Sequence, residues 1–427
     1  MKRALANSGK GVWACRGTLA AVAMLVFAGA CQAYTEKTLY SFCSVGHSCR
    51  DGSYPSGLVI DSSGNLFGVT YSGGKHGAGV VFEFEPSTGQ YSTLHSFCSE
   101  KGCKDGSQPE RVSLVIDING SLYGTTSSGG NKHQAGVVFE LVRTDSGWKD
   151  VTLYRFCSLT NCADGTEPFD GLSYAGAAAG QLYDGVSPLF GTTLYGGVAE
   201  TSVGTVFSLT PQSGSKTWGE QALYSFCSQA NCSDGAAPDT PLFIDSQGDI
   251  YGTTPADDYG SNGTVFELIK SGTNYTESVL HSFCAQQNCI DGTDPKGGVT
   301  MDAQGNLYGT AVSGGANTYG LIFELSPDGS QWQFADIADF DGTNGASPLA
   351  PLTMDNNGDL FGTTYRGGTN NWGTVFEFNG SVRSLYSFCK KCDGTSVGVV
   401  EDSAGNLYGV TSQGGDKDKG TLYKLSP

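Results

Sequence analysis

One phrase is written seven times along this chain, and its spacing constrains the fold more than any single residue does. Asn65-Leu66-Phe67-Gly68 returns as Ser121-Leu122-Tyr123-Gly124, Pro188-Leu189-Phe190-Gly191, Asp249-Ile250-Tyr251-Gly252, Asn306-Leu307-Tyr308-Gly309, Asp359-Leu360-Phe361-Gly362 and Asn406-Leu407-Tyr408-Gly409. The copies stand 47 to 67 residues apart, a period that belongs to propellers, solenoids and arrays. Length alone, at about 150 residues per domain, suggests two or three domains. The repeats run from near residue 37 to the last residue without a linker, so one closed domain is expected.

Each unit holds four strand-like stretches. In the first, Leu58 to Asp61 turns through Ser62-Ser63-Gly64 into Asn65 to Thr70, a glycine-rich loop leads to Val80 to Phe84, and Tyr91 to Cys98 completes the set. The Asp-x-x-Gly turn recurs at Asp117, Asp245, Asp302, Asp355 and Asp402, where a carboxylate can accept backbone N–H groups and glycine supplies positive φ. A calcium loop also uses aspartates at this spacing, but the rest of an EF-hand loop and its closing glutamate are missing. Four short antiparallel strands in seven repeats predict an all-β fold: a single seven-bladed β-propeller of four-stranded blades. The chain begins with a fourth-strand equivalent at Lys37 to Phe42 and ends with a third-strand equivalent at Gly420 to Leu425. The N-terminal strand is therefore expected to complete the last blade and close the ring. In the third repeat residues 173–186 replace the innermost strand and turn, and a longer loop within a normal blade is expected there.

Residues 1–33 read as a signal peptide, with Lys2, Arg3, Lys10 and Arg16 ahead of an apolar stretch too short to span a bilayer. The domain is then 34–427, exported to a secreted, periplasmic or outer-surface location. Cysteine parity favours cleavage after Ala33, which removes Cys15 and Cys31 together and leaves twelve cysteines; cleavage before Cys31, with lipid anchoring there, is the rival. No later segment has about 18 apolar residues in a row, so no membrane span is expected in the mature chain. A net charge of -18 with no basic run outside the first 16 residues excludes a nucleic-acid face.

The twelve cysteines fall in close pairs: Cys43 with Cys49, Cys98 with Cys103, Cys157 with Cys162, Cys227 with Cys232, Cys284 with Cys289, and Cys389 with Cys392. The sixth repeat lacks both members, because Phe340 runs directly into Asp341-Gly342. Joint loss argues for pairing within a loop, and an exported chain makes those pairs disulfides. Zinc would need four converging ligands, whereas these loops are dispersed around a ring. Cys389-Lys390-Lys391-Cys392 matches a redox C-x-x-C motif only as a shortened copy of the other loops.

Strand alternation puts the cysteine loops, the Asp-Gly that follows them and the irregular glycine-rich loops on one face. There Tyr71, Tyr195, Tyr259, Tyr365 and Trp372, with Asp257 and Asp258, form a candidate ligand surface: aromatic faces stack on sugar C–H groups and carboxylates accept hydroxyl protons. Packing of scattered loop aromatics against neighbouring loops is the plainer account. Asp51, Asp105, Asp164, Asp234, Asp291, Asp341 and Asp393 recur in every unit and so serve the repeat, since a single ligand site should break the symmetry. By the same logic Glu83, Glu140, Glu267, Glu324 and Glu377, at one third-strand position, satisfy local groups. His95 and His281 replace the tyrosine of Tyr-Ser-Phe-Cys and read as packing variants. No GxSxG, HExxH or phosphate-loop pattern appears, and neither a catalytic residue, a metal ligand nor a cofactor is assigned.

The unit Gly-Asn-Leu-Tyr-Gly-Thr-Thr, then Gly-Gly, then Gly-Thr-Val-Phe-Glu-Leu, clearest at 120–126 with 136–141, 248–254 with 263–268 and 358–364 with 373–378, resembles the GloVer tandem-repeat (choice-of-anchor) proteins of bacteria. The resemblance covers essentially the whole mature chain. It implies a surface or secreted repeat protein of undefined activity and carries over no catalytic residue. Many of those proteins end in a sorting anchor, while this chain stops at Pro427 just after its last strand. The leading expectation is a binding module for an extracellular glycan or a surface protein, acting as a monomer. A carbohydrate-active hydrolase or lyase on the same ring is the alternative, because a carboxylate pair from distant blades leaves no linear motif. A purely structural surface protein is third.

Overall fold

The computed structural model describes residues 34–427 except 112, 178–179, 199–202, 213–217, 257–259, 330 and 390–396. Its strands form seven antiparallel sheets arranged as the blades of a propeller. Blade 1 shows the plan: Ser53–Ile60 lies innermost, followed outward by Leu66–Ser72, Val80–Glu85 and Gln90–Ser96. In blade 7, Val400–Glu401, Leu407–Thr411 and Thr421–Ser426 are completed by Thr35–Ser41, which pairs antiparallel with Thr421–Ser426 from Thr35↔Ser426 to Ser41↔Thr421. The ring is closed by its N-terminal strand. No helix among the described residues is long and apolar enough to cross a membrane.

The glycine of the sevenfold phrase has a steric cause. A Cβ on Gly124 would lie 2.8 Å from Cζ of Phe139, whose ring crosses the second strand, and the same holds for Gly68 under Phe82 and Gly252 under Phe266. Each of these rings meets a second one edge to face. The pairs Phe42–Phe82, Phe97–Phe139, Phe156–Phe207, Phe226–Phe266, Phe283–Phe323, Phe340–Phe376 and Phe388–Tyr423 have centroids 4.9 to 5.3 Å apart. In each the first ring comes from the segment linking two blades and the second from the third strand of the later blade. The Phe of Tyr-Ser-Phe-Cys thus packs one blade onto the next, by a geometry worth about 0.5 to 1.5 kcal/mol beyond the burial itself.

A second seam contact repeats beside it. The Asp-Gly-x-x-Pro stretch, replaced by Asn344-Gly345-Ala346-Ser347-Pro348 in blade 6, carries its proline against the glycine that opens the third strand of the preceding blade: Pro55 on Gly420, Pro109 on Gly79, Pro168 on Gly136, Pro238 on Gly204, Pro295 on Gly263 and Pro348 on Gly320. The residue before each proline holds positive φ, as at Gln108 (57°) and Glu167 (55°). Its N–H donates back across the seam, Gln108 to Ala78 O at 2.8 Å and Glu167 to Ala135 O at 2.8 Å. Gly136 sits at φ +92°, and a Cβ there would meet both Thr126 O and Pro168. Gly136→Ala is therefore expected to destabilise the protein by roughly 2 to 5 kcal/mol, from left-handed strain plus overpacking. Denaturant titration checks this; a midpoint equal to that of the parent would show the seam to be loose.

The blade-to-blade connectors carry the cysteines. Cys43–Cys49, Cys98–Cys103, Cys157–Cys162, Cys227–Cys232 and Cys284–Cys289 are disulfides within one loop each; Cys392 of the sixth pair lies outside the described residues. Such bonds belong to proteins that mature in an oxidising compartment. Every one of these ten half-cystines adopts left-handed backbone, with φ between 49° and 63°, and the recurrent aspartate ties the loop down. Asp164 accepts from Ser158 N, Ser158 Oγ and Leu159 N, and from the Tyr154 hydroxyl at 2.8 Å. The Gly-Gly loops interlock on the same face, as where Gly130 N donates to Cys103 O at 2.8 Å.

Three seams hold an extra carboxyl: Asp150 beside Asp105, Glu220 beside Asp164 and Glu277 beside Asp234. Partial burial of Glu220, then the aspartate's charge, pushes it up to about 8. Glu277 is pushed up to about 7 by burial and then by Asp234.

Blade 3 departs from the expected plain loop. Ser173 still pairs with Phe190 in place of an innermost strand, but the insertion then crosses to blade 2, where Tyr183 pairs in parallel with Asp117. The fully buried Tyr183 meets Tyr123 at 5.2 Å. The insertion was legible as extra length, whereas its partner was not.

Candidate functional site

Almost every position of the unit recurs, so the informative positions are those that do not. After the seam proline the chain enters its innermost segment, and there the blades read Ser56-Gly57, Glu110-Arg111, Phe169-Asp170, Asp239-Thr240, Lys296-Gly297 and Leu349-Ala350. Their backbone is fixed from outside by the first threonine of Leu-Tyr-Gly-Thr-Thr in the preceding blade. Thr125 Oγ1 donates to Asp170 O and Thr253 Oγ1 to Pro295 O, both at 2.8 Å, and Thr363 Oγ1 to Val397 O at 3.1 Å. A repeated scaffold thereby presents unrepeated side chains.

Blades 2 to 5 place a charged cluster there. Arg111 Nη1 lies 3.4 Å from Asp239 Oδ2, with the guanidinium 5.6 Å from the centre of the Phe169 ring. Lys296 Nζ lies 3.4 Å from Asp294 Oδ2. Asp170 and Asp239 are each only 8% exposed. Asp170 Oδ1 accepts the Gly171 N–H at 2.5 Å, while Asp239 Oδ1 is a buried acceptor with no hydrogen-bond partner among the described residues. Burial pushes Asp170 up to about 7 against the pull of the Gly171 N–H and Arg111. Asp239 is also raised by burial, with Arg111 and Lys296 opposing. Glu110 is raised by burial as well, and Arg111 again opposes.

Arg111, Ser113, Asp170 and Lys296 form the polar side of a cavity of about 200 Å³. The opposite side is apolar: Leu58 from blade 1, Leu349 and Pro351 from blade 6, and Val397, Val399 and Val400 from blade 7. Contributions from six blades place the cavity at the axis of the ring. Its volume is below the roughly 300 to 1,000 Å³ usual for drug-sized ligands, so it suits one small polar unit with an apolar face. Two cations offer donors, the buried Asp170 carboxyl in its lining offers an acceptor, with Asp239 behind Arg111, and the aliphatic wall accepts C–H surface.

The aromatic residues singled out from sequence are placed differently. Tyr195 (47% exposed) and Tyr365 (37% exposed) stand free on blades 3 and 6, with the Arg366 guanidinium 5.8 Å from the Tyr365 ring centre. Tyr71 accepts from Gln108 Nε2 at 3.0 Å across the first seam, and Trp372 packs against the hydrophobic cluster of blades 6 and 7. No ring-to-ring contact joins these four among the described residues, and Asp257, Asp258 and Tyr259 lie outside them. The third-strand glutamates bind locally: Glu140 accepts from Tyr123 at 3.0 Å, Glu267 from Tyr251 at 2.7 Å, and Glu377 pairs with Arg383. Sequence reasoning missed Arg111, Asp170, Asp239 and Lys296. The available signal was the break in symmetry just after the recurrent proline.

The Gloeobacter/Verrucomicrobia repeat model matches residues 25–188 and 275–427. No curated protein matches the sequence. Among solved structures, a fungal alcohol oxidase in complex with copper is similar at 12% identity and a TM-score of 0.53, over 93% of this chain and 76% of that one. A polysaccharide lyase is 10% identical over 87% and 89% of the two chains (TM-score 0.49). A 6-phosphogluconolactonase homologue from Bacteroides uniformis is 15% identical over 77% and 83% (TM-score 0.47). At these identities the likeness is one of fold alone.

Proposed function

This chain belongs to the Gloeobacter/Verrucomicrobia repeat family, and from that premise we propose that it is an exported propeller that binds a glycan by seating one sugar unit in the axial cavity. The observation that carries this reading is the charged cluster of Arg111, Lys296 and the buried Asp170 and Asp239, at positions that differ from blade to blade while the rest of the unit repeats. Asp170 and the unpartnered Asp239 Oδ1 accept hydroxyl protons, Arg111 and Lys296 donate to ring and hydroxyl oxygens, and the Leu58–Val399 side takes the C–H face. Tyr195 and Tyr365 offer stacking planes for units further along the chain.

Asp170→Asn and Lys296→Met are expected to keep the fold and to weaken binding at least tenfold, about 1.4 kcal/mol each. The measurement is a glycan array followed by calorimetry on the mature protein. A wild type that binds no glycan, or variants that bind as it does, would remove the proposal.

One observation favours a second reading, in which the seated sugar's glycosidic bond is cleaved. Burial holds Asp170 near 7 close to a second carboxyl, Asp239, that Arg111 contacts, and glycosidic cleavage uses two carboxyl groups. Under that reading Asp170→Asn abolishes turnover and leaves binding largely intact.

A further inference from the structure

In three connectors the aspartate of Asp-Gly accepts from the tyrosine two before the seam phenylalanine: Tyr40 donates to Asp51 at 2.7 Å, and Tyr154 to Asp164 and Tyr224 to Asp234 at 2.8 Å. Two seams carry histidine instead. His281 behaves as a packing residue, with its ring stacked 4.0 Å from Phe334 of the next blade. His95 does not, because the next blade brings Asp150 to the same place.

His95, Asp105 and Asp150 each offer one ligand atom, and the three atoms lie within 4.8 Å of one another. His95 Nε2 and Asp150 Oδ1 are both buried and lack a hydrogen-bond partner among the described residues. The His95 Nε2 to Asp105 Oδ2 separation is 3.4 Å. That is long for a hydrogen bond, yet it matches two corners of a tetrahedron around an ion with ligand bonds of about 2.0 to 2.1 Å, whose corners stand about 3.3 Å apart. Asp105 is held in place as the equivalent aspartate is in other connectors: Oδ2 accepts from Ser99 N and Ser99 Oγ at 2.8 Å, and Oδ1 from Glu100 N at 3.1 Å. Its side chain is fully buried, while that of His95 is 13% exposed, which leaves a way in from solvent.

We propose that the seam between blades 1 and 2 is a binding site for a divalent transition metal of the zinc class, held by His95 Nε2, Asp105 Oδ2 and Asp150 Oδ1, with water as the remaining ligand. One imidazole nitrogen and two carboxylate oxygens form a donor set that suits zinc and its neighbours better than the all-oxygen shells calcium prefers. One ligand from the outer strand of blade 1, one from the connector and one from the outer strand of blade 2 mean that the ion would cross-link consecutive blades. The axial cavity is independent of it.

The repeat supplies its own control. Tyrosine occupies the His95 position in four other seams, at Tyr40, Tyr154, Tyr224 and Tyr386, so His95→Tyr is compatible with the fold, and Asp150→Asn is a nearly isosteric second variant. The metal-stripped mature protein, dialysed against Zn²⁺ and assayed by elemental analysis, is expected to hold one equivalent. Its melting temperature should rise with Zn²⁺ and fall back with EDTA. Both variants should lose the equivalent and the Zn²⁺-dependent shift, whereas His281→Tyr should keep them. Failure of the wild type to retain zinc, or retention by Asp150→Asn, overturns the assignment and leaves the three side chains as a structural contact of the seam. Should His95→Tyr misfold, Asp150→Asn decides alone.

Discussion

Removal of residues 34–41 is expected to unfold or aggregate the protein, with a loss on the order of 5 kcal/mol or more in any fraction that stays folded. Thr35–Ser41 supplies the outer strand of blade 7, so its loss exposes the backbone edge of Thr421–Ser426. It also removes Tyr40, which stacks on Tyr91 of blade 1 at 4.2 Å and donates to Asp51, and it detaches Phe42, which is 1% exposed against Phe82. One deletion opens a sheet edge and a seam together. Thermal denaturation followed by circular dichroism, with light scattering for aggregation, provides the check. A peptide spanning the deleted strand should restore part of the transition, and a truncated chain that melts like the intact one would contradict the closure.

Alkaline pH is expected to loosen the ring through Glu220 and Glu277. Their unfolded values are near 4.5, and in the folded protein they are raised to about 8 and about 7. The folded state therefore retains protons that the unfolded chain has released. The stability tied to these groups is complete below about pH 4.5, declines as pH climbs, and is gone once pH has passed through 7 and 8. Physically, ionisation places each glutamate against the aspartate that organises its connector, Asp164 or Asp234. Glu220→Gln with Glu277→Gln should raise stability at pH 9 by about 1 to 3 kcal/mol per site, discounted for partial solvent access, and leave it nearly unchanged at pH 4.5. Denaturant titrations at the two pH values measure this. An equal effect at both would mean that the glutamates are solvated.

The fold was legible because its determinants are forced to repeat. A glycine under a phenylalanine ring and a proline on a glycine must recur wherever a blade meets its neighbour, so Gly124 and Pro168 are visible as pattern even before Phe139 and Gly136 explain them. The cysteine loops were legible for the same reason. The axial cluster was hidden by that very strength: Arg111, Asp170, Asp239 and Lys296 occupy the few slots with no sevenfold rule, and only the ring brings them together. Loop tyrosines attracted notice as exposed aromatics, but Tyr71 is engaged by Gln108 and Trp372 by core contacts that linear spacing cannot reveal. His95 and His281 look alike in sequence. They differ only because the adjoining blade offers Asp150 to one and Phe334 to the other.

Each of the five disulfides among the described residues bonds cysteines five or six positions apart, so none of them ties one part of the circle to a distant part, and in these covalent terms the propeller remains an open line. Thr35 and Ser426 are paired at the same end of an antiparallel ladder. A pulling force applied at those two residues would load the rungs one after another, as in opening a zipper, rather than shearing them all at once. Mechanical failure should accordingly begin at blade 7 under low tension and travel through the ring blade by blade, with each small cystine loop withholding only its own few residues from the extended length.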